Sequence, residues 1–208
     1  MNDPQDSPEI TRPETPHKQV AFWESRYESR STTWDLGEGA PPFAKAVSSL
    51  KPGKMAVLGC GAGHDAALFA DAGFDVVGFD FAPGALELAE SLYGDLFTLV
   101  HADIFDLPSS WSGQFDYVLE HTCFCAIDPS QRDAYIRTVC DLLKPSGTLV
   151  GLFWHHGETD GPPFDTPPEE LIERLSPHFS LPLPLKITEG SHPKRENQEF
   201  LVIAKRST

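Results

Sequence analysis

A glycine-rich turn, followed at a set distance by an acidic residue, is the feature of this sequence best suited to chemistry. The motif GCGAG at residues 59–63 directly follows a short apolar run at residues 55–58, and Asp80 ends a second apolar run at residues 74–79. Glycines let the backbone turn sharply and approach a ligand closely. An acid about twenty residues after the first glycine can accept hydrogen bonds from ribose hydroxyls. We therefore predict a nucleotide-binding strand–loop–helix–strand unit, whose loop glycines are Gly59, Gly61 and Gly63.

The glycine spacing distinguishes this loop from the dinucleotide motif G-x-G-x-x-G. His64 stands where the third glycine of that motif would fall, counted from Gly59. Alternating glycines followed by an acid after the next strand resemble the S-adenosylmethionine (SAM) loop of class I methyltransferases. A tight turn without any ligand is the alternative for so short a motif. An NAD-binding oxidoreductase is disfavoured by the glycine spacing and by the lack of a second catalytic domain.

Composition indicates a globular α/β protein that does not bind nucleic acid. The chain has 208 residues, of which 40% are hydrophobic and 23% charged, enough for one domain with a sizeable core. Its net charge of −15 argues against nucleic acid and anionic membranes, because phosphates require a basic face. No apolar run approaches the roughly 20 residues of a membrane helix. The acidic N-terminus does not resemble a signal peptide, so we expect a cytoplasmic protein. No exposed apolar stripe is evident, which favours a monomer.

Two segments precede the glycine loop. Residues 1–18 are polar and proline-rich and are predicted to form a flexible arm, whereas residues 19–208 are predicted to form one domain. Within that domain, the lid segment (residues 20–43) is rich in large aromatic side chains, namely Trp23, Tyr27 and Trp34. The first two lie four residues apart and therefore share one face of a short helix. Pro41 and Pro42 are expected to block any helix before Phe43. We expect the lid segment to pack on the core, to enclose a cofactor, or to do both.

The rest of the chain alternates between short apolar runs and helical stretches, as in a parallel sheet with helices on both faces. Residues 129–143 are predicted to form one long helix, with Asp128 as its N-cap. Residues 181–188 and 200–205 are predicted to be strands without a long helix between them, and so to form an antiparallel pair. The predicted fold is α/β and Rossmann-like: a seven-stranded, mostly parallel sheet with an antiparallel last pair.

Several polar and aromatic residues follow the predicted strands, at the edge where open α/β sheets bind ligands. Asp80 can accept from both ribose hydroxyls, Asp103 can accept from an adenine amine, and the backbone of Ile104 can meet a ring nitrogen. Aromatic rings suit the sulfonium of SAM, because a cation is attracted to a π face. Taken alone, Asp80 is equally a candidate helix N-cap and Asp103 a candidate turn residue.

The four cysteines do not form a metal-binding pattern. No C-x-x-C pair occurs, and the pair in Cys123-Phe124-Cys125 has no second pair at zinc-site spacing. We expect these two thiols to be buried small side chains, without a metal or redox role.

Four motifs in a fixed order resemble the thiol and halide methyltransferases of the thiopurine methyltransferase superfamily. They are W-x3-Y-x6-WD from Trp23 to Asp35, VLGCGAGHD, FDYVLEHTCFCAIDPSQR and GPPF. The middle aromatic of the first motif is usually tryptophan in those enzymes and is Tyr27 here. Most class I enzymes carry an acid two residues before the first glycine; this chain has Val57, as that group does. The resemblance extends over about residues 20–205.

This resemblance implies a class I methyltransferase that moves the SAM methyl group to a small soft nucleophile, a thiol, bisulfide or halide, by in-line displacement. No metal is implied. Position 121 is a departure, since the halide-type enzymes have tyrosine there and the thiopurine type arginine. Carried over residue by residue, the resemblance implies SAM contacts at Trp23, Tyr27, Trp34, Gly59, Asp80, Asp103, Ile104 and His121.

Soft nucleophiles do not require a general base, and the sequence contains no clear catalytic dyad. His121 is the candidate catalytic residue, as a base or as an orienting hydrogen-bond donor, with His155 and His156 as further candidates. Arg195 could hold an anionic group of a substrate, although a surface arginine is the favoured interpretation. Two alternatives stay open: an O- or N-methyltransferase of a small metabolite, and a SAM-binding module without turnover.

Overall fold

The apolar runs of the sequence form one seven-stranded sheet in the computed structural model, which describes residues 20–207. The strands are β1 (Lys54–Leu58), β2 (Asp75–Asp80), β3 (Thr98–His101), β4 (Phe115–His121), β5 (Leu143–Trp154), β6 (Phe179–Ser180) and β7 (Glu199–Arg206). Their order is β3-β2-β1-β4-β5-β7-β6, with β1 to β5 in parallel pairs and β7 antiparallel to both β5 and β6. The predicted Rossmann-like sheet with an antiparallel last pair is confirmed. The predicted arm, residues 1–18, lies outside the described residues.

Helices cover both faces of this sheet. They are α1 (Val20–Glu28), α2 (Pro41–Ala46), α3 (His64–Asp71), α4 (Pro83–Tyr93), α5 (Arg132–Leu142) and α6 (Pro168–Leu175). Side chains alternate along β1, so Met55 and Val57 pack with the cluster under α2, α3 and α4, whereas Ala56 and Leu58 pack with that under α5 and α6. Within residues 20–207, no helix has the length and apolar character needed to cross a membrane.

Two predicted helix boundaries are wrong. Pro41 and Pro42 begin α2 instead of blocking it, because the first turn of a helix does not use its N–H groups. The long helix predicted for residues 129–143 divides into a 3-10 turn, in which the Asp128 carboxylate accepts from the Ser130 N–H, and α5. Leu143 already belongs to β5 and pairs with Phe115.

The last antiparallel pair exists, but the strand predicted for residues 181–188 is wrong. The partner of β7 is the two-residue β6, and residues 181–188 form a loop. Pro182 and Pro184 have no N–H to donate to a strand ladder, so an alternation of apolar residues does not make a strand here.

Candidate active site

A cavity of about 470 Å³ lies at the carboxyl ends of the parallel strands. β1 and β4 are neighbours, and the helices that follow them, α3 and α5, pack on opposite faces, so the cavity lies at the switch point of the sheet. The sequence-predicted site residues all line this cavity: Trp23, Tyr27, Trp34, Gly59, Gly61, Gly63, Asp80, Asp103, Ile104 and His121.

The glycine loop has a backbone that only glycines adopt readily. The φ angles of Gly59, Gly61 and Gly63 are +60°, +53° and +80°. A Cβ at Gly59 would lie 2.9 Å from the Cys123 sulfur, and one at Gly63 would lie 2.6 Å from the Phe97 ring. The loop can therefore bring bare backbone to a ligand, and side chains at these two positions would displace its neighbours.

Asp80 joins the end of β2 to the glycine loop and to the start of α4. Its Oδ2 accepts from the Gly61 N–H at 2.9 Å, and its Oδ1 accepts from the Ala82 N–H at 3.0 Å. The side chain is 7% exposed, and burial raises its pKa. Each carboxylate oxygen has a second lone pair. The remaining acceptor positions of Asp80 therefore fit the hydroxyl donors of a ribose diol. Asp80 is not the N-cap of α4, which is Ala82, although its carboxylate accepts from the Ala82 N–H.

Asp103 and Ile104 form the far side of the same edge. The Asp103 Oδ1 accepts from the Phe105 N–H at 2.9 Å, so Asp103 is a turn residue that also lines the cavity. Ile104 is 9% exposed, and its carbonyl accepts from the Thr138 hydroxyl at 3.1 Å. This contact fixes the Ile104 backbone beside the cavity.

The lid segment covers the cavity with aromatic rings. The Trp34 ring meets those of Trp23 and Tyr27 edge-on, at centroid distances of 5.4 and 5.8 Å. Burial and the Asp80 carboxylate raise the pKa of Tyr27, so its hydroxyl stays protonated. The Glu24 carboxylate accepts from the Gly84 N–H at 2.9 Å and so holds α1 against the positive end of α4.

An ion pair holds the turn of the lid segment against the start of α3. The Asp35 Oδ1 lies 3.0 Å from the His64 Nε2 and accepts from the Gly37 N–H at 2.7 Å. The other ring nitrogen of His64 lies 2.5 Å from the Tyr93 hydroxyl. The hydrogen bond between Asp35 and His64 lowers the pKa of the carboxyl and raises that of the imidazole. Both nitrogens of His64 are therefore engaged.

His121, at the end of β4, also has both ring nitrogens engaged. Its Nδ1 lies 2.6 Å from the Asp65 Oδ2, and its Nε2 lies 2.8 Å from the Arg195 Nη1. Burial alone would lower the pKa of His121, but the Asp65 carboxylate outweighs it and raises the pKa to about 9. The other oxygen of Asp65 accepts from the Ala40 N–H at 2.7 Å, which links His121 to the end of the lid segment.

The contact with Arg195 restricts the protonation states of His121. A guanidinium only donates, so the 2.8 Å contact is a hydrogen bond in the neutral ring, where Nε2 carries no proton and the ring proton lies on Nδ1. A second proton, which Asp65 favours, would occupy Nε2 and turn toward the Glu199 Oε1, 3.7 Å away. In neither state is a ring nitrogen free to take a proton from a ligand.

The expectation of a surface position for Arg195 is wrong, since this side chain is 2% exposed. Its Nη2 donates to the Trp34 carbonyl at 2.7 Å, and its Nη1 lies 3.4 Å from the Glu199 carboxylate. The further base candidates, His155 and His156, do not line the cavity. The Nδ1 of His155 pairs with Asp165 at 3.0 Å.

The remaining wall of the cavity is largely apolar. Cys123 and Cys125 line it as free thiols that are 8% and 4% exposed, and burial raises the pKa of both, so these thiols are protonated small side chains. Trp154, Pro162 and Pro163 also line it. Within residues 20–207, no group of three or more His, Cys, Asp or Glu side chains is placed to hold a metal ion.

The strand order, the loop and the acid after β2 together define a class I SAM-dependent methyltransferase. The family model described as Thiopurine S-methyltransferase (TPMT) matches residues 18–200, and the chain belongs to this family.

Curated relatives agree with this assignment, and a solved structure shares the fold. Thiocyanate methyltransferase 1 of Arabidopsis thaliana is 33% identical over 200 residues, covering 89% of this chain and 85% of the relative. Thiocyanate methyltransferase 1 of Brassica oleracea is 37% identical over 150 residues, covering 68% of this chain but only 65% of the relative. The fold is similar to that of the 1,6-didemethyltoxoflavin-N1-methyltransferase of Burkholderia thailandensis, with a TM-score of 0.69, 22% identity, and coverage of 99% of this chain and 94% of that one.

Sequence reasoning missed the partners of the predicted residues. Asp65 holds His121, Glu199 pairs with Arg195, and Glu24 holds α1 of the lid segment against α4. Two of them had a signal in the sequence: Asp65 is an acid in the first turn of α3, and Glu199 lies four residues after Arg195. Glu24 had none, because its partner belongs to a separate helix.

Proposed function

We propose that this protein transfers the methyl group of SAM to the sulfur of a small soft nucleophile, such as a thiol, hydrosulfide or thiocyanate, by in-line displacement. The observation that carries the proposal is the engaged state of both histidines that line the cavity, His64 and His121. An acceptor that must lose a proton on reaction would find no free imidazole among the described residues that line the cavity. The names of the curated relatives support a sulfur acceptor. Halides share the required softness and stay a prediction from the sequence.

Each cavity residue has a proposed role toward SAM. Asp80 accepts from the ribose hydroxyls, Asp103 and the Ile104 backbone meet the adenine, and the glycines of the loop allow close approach. Trp23, Tyr27 and Trp34 present ring faces to the sulfonium. SAM itself supplies the electrophilic methyl group.

We propose that His121 orients the site and is not a general base. An imidazole held by Asp65 and Arg195 stays fixed in position. The acceptor therefore reacts as an anion formed before it binds, and the protein contributes orientation and exclusion of water.

Incubation of the full chain with SAM and a panel of acceptors tests the proposal. The panel contains thiocyanate, hydrosulfide, an aromatic thiol and iodide, together with a phenol and an amine of similar size. Methylated products are measured by gas chromatography, and S-adenosylhomocysteine is measured by chromatography of the reaction mixture. We expect methylated sulfur products. Methylation of the phenol or amine alone would favour the O- or N-methyltransferase, and bound SAM without any product would favour a binding module.

Two further predictions from the sequence concern the whole protein. The monomeric state is checked by gel filtration with light scattering, and the cytoplasmic location is checked by cell fractionation.

A further inference from the structure

We propose that Arg195 is a positioning residue that fixes the lid segment and the floor of the cavity relative to each other. It belongs to the short 3-10 turn Pro193–Arg195, which precedes β7, and its side chain is 2% exposed. It does not line the cavity, so it acts through residues that do. The inference rests on the proposed function, because it concerns the same SAM and acceptor site.

Arg195 contacts three parts of the cavity wall that belong to different elements. Its Nη2 donates to the Trp34 carbonyl in the lid segment at 2.7 Å. Its Nη1 lies 2.8 Å from the Nε2 of the His121 ring at the end of β4. Its guanidinium carbon lies 4.7 Å from the centroid of the Trp154 ring at the end of β5. One planar group thus sets the relative positions of these three residues, and all three line the cavity.

The chemistry of these contacts requires arginine. A guanidinium presents several N–H donors in a rigid fork and stacks on aromatic rings, whereas a lysine ammonium does neither. The positive charge is balanced by Glu199, which is 1% exposed and 3.4 Å from the Nη1. Because the pair is buried, removing only one partner would leave an unpaired charge.

The test uses variants of the full chain that separate positioning from stability. The double variant Arg195→Met/Glu199→Gln removes both buried charges together, and Arg195→Lys keeps the charge without the fork. SAM affinity is measured by calorimetry, hydrogen exchange of residues 29–40 by mass spectrometry, and kcat and KM with thiocyanate as acceptor. We expect the SAM Kd to rise about tenfold in the double variant and less in Arg195→Lys, with faster exchange in residues 29–40 in both.

Arg206→Met is the matched control. Arg206 belongs to β7, the strand that Arg195 precedes, but it donates to the Leu143 carbonyl at 2.8 Å and does not line the cavity. This variant should unfold at a lower temperature and bind SAM with the wild-type Kd. Wild-type SAM affinity and wild-type exchange of residues 29–40 in either Arg195 variant would overturn the inference, and Arg195→Lys decides if the double variant does not fold. Failure of the wild-type protein to methylate any acceptor would instead count against the proposed function.

Discussion

Asp80 has a structural role and a proposed binding role at the same time. Its two carboxylate oxygens already accept from the Gly61 and Ala82 N–H groups, which fix the loop and the start of α4. Burial favours the neutral carboxyl, so these backbone donors offset part of the cost of keeping the charge. A ribose diol would complete the set of donors around the group.

The variant Asp80→Ala should therefore bind SAM about 100-fold more weakly, because two hydrogen bonds to a charged group are lost. Calorimetry measures the affinity, and circular dichroism checks that the fold is retained. Asp80→Asn is the conservative comparison: its amide keeps one accepting oxygen, so its affinity should fall between the other two. An unchanged affinity in Asp80→Ala would contradict the assignment of this residue to the cofactor.

His121→Asn and His121→Phe should each slow methylation of a thiol by a factor that stays constant between pH 6 and pH 8. The wild-type ring does not titrate in this range, since its pKa is raised to about 9 against the Asp65 carboxylate. The asparagine variant keeps a donor toward Asp65 and should retain more activity than the phenylalanine variant. Initial rates across pH measure this, with thiocyanate as the acceptor that does not titrate. A loss that grows below neutral pH would show that His121 is a base.

Residues at strand ends were predictable, and the partners that hold them were not. Asp80 and Asp103 follow apolar runs, so the topology of an open sheet brings them to one edge. Arg195 is 74 residues from His121 in the chain, and a polar loop gave no indication that its side chain is buried. Local sequence patterns do not indicate which residues far apart in the chain contact each other in the folded protein.

At the scale of elements, the glycine loop requires both backbone freedom and empty space. The lid segment, in contrast, is held by side chains: the rings of Trp34 and its partners, and the Asp35–His64 ion pair. Adding a side-chain atom to a loop glycine should therefore disturb the loop. Removing a side chain from the lid segment should loosen that segment.

Comparing Gly59→Ala with Gly113→Ala, which lies outside the glycine loop, separates the need for a positive φ angle from the need for space beside Gly59. Both positions have similar φ angles, +60° and +64°, so alanine costs about 1–2 kcal/mol in each from backbone conformation. A Cβ at Gly113 meets no atom within 4 Å, whereas one at Gly59 meets the Cys123 sulfur at 2.9 Å. We expect only Gly59→Ala to weaken SAM binding. We also expect only this variant to lose more free energy of unfolding than the backbone conformation alone costs. Denaturant unfolding and calorimetry measure both effects. Equal stability and equal affinity in the two variants would show that the space beside Gly59 is not needed.

The elements themselves were largely predictable from apolar runs and glycines, and the errors came from proline. Pro41 and Pro42 start a helix, and Pro182 and Pro184 prevent a strand. In both cases the missing N–H decides the outcome, but its effect depends on whether the neighbouring structure needs that donor.

At the scale of the whole molecule, the net charge of −15 opposes an anionic acceptor. Raising the ionic strength from 0.01 to 0.15 M shortens the Debye length from about 30 to about 8 Å and so screens this repulsion. We expect kcat/KM for thiocyanate to rise a few-fold over this range, while that for a thiol that is neutral at the assay pH changes less. Sulfate salts are used, since halides are candidate acceptors. A fall for thiocyanate would show that the local positive charge of Lys194 and Arg26, which both line the cavity, dominates there.

The contact between Arg195 and Trp34 joins residues 161 positions apart. During synthesis the lid segment leaves the ribosome long before the strand that follows Arg195, and domains generally begin to fold from their N-terminal part. Strands β1 to β4 can pair, and the Asp35–His64 and Glu24–Gly84 contacts of the lid segment can form, before the Arg195 contact is made. This contact between the lid segment and the floor of the cavity therefore forms only after residues 193–195 have been synthesised, late in the completion of the sheet.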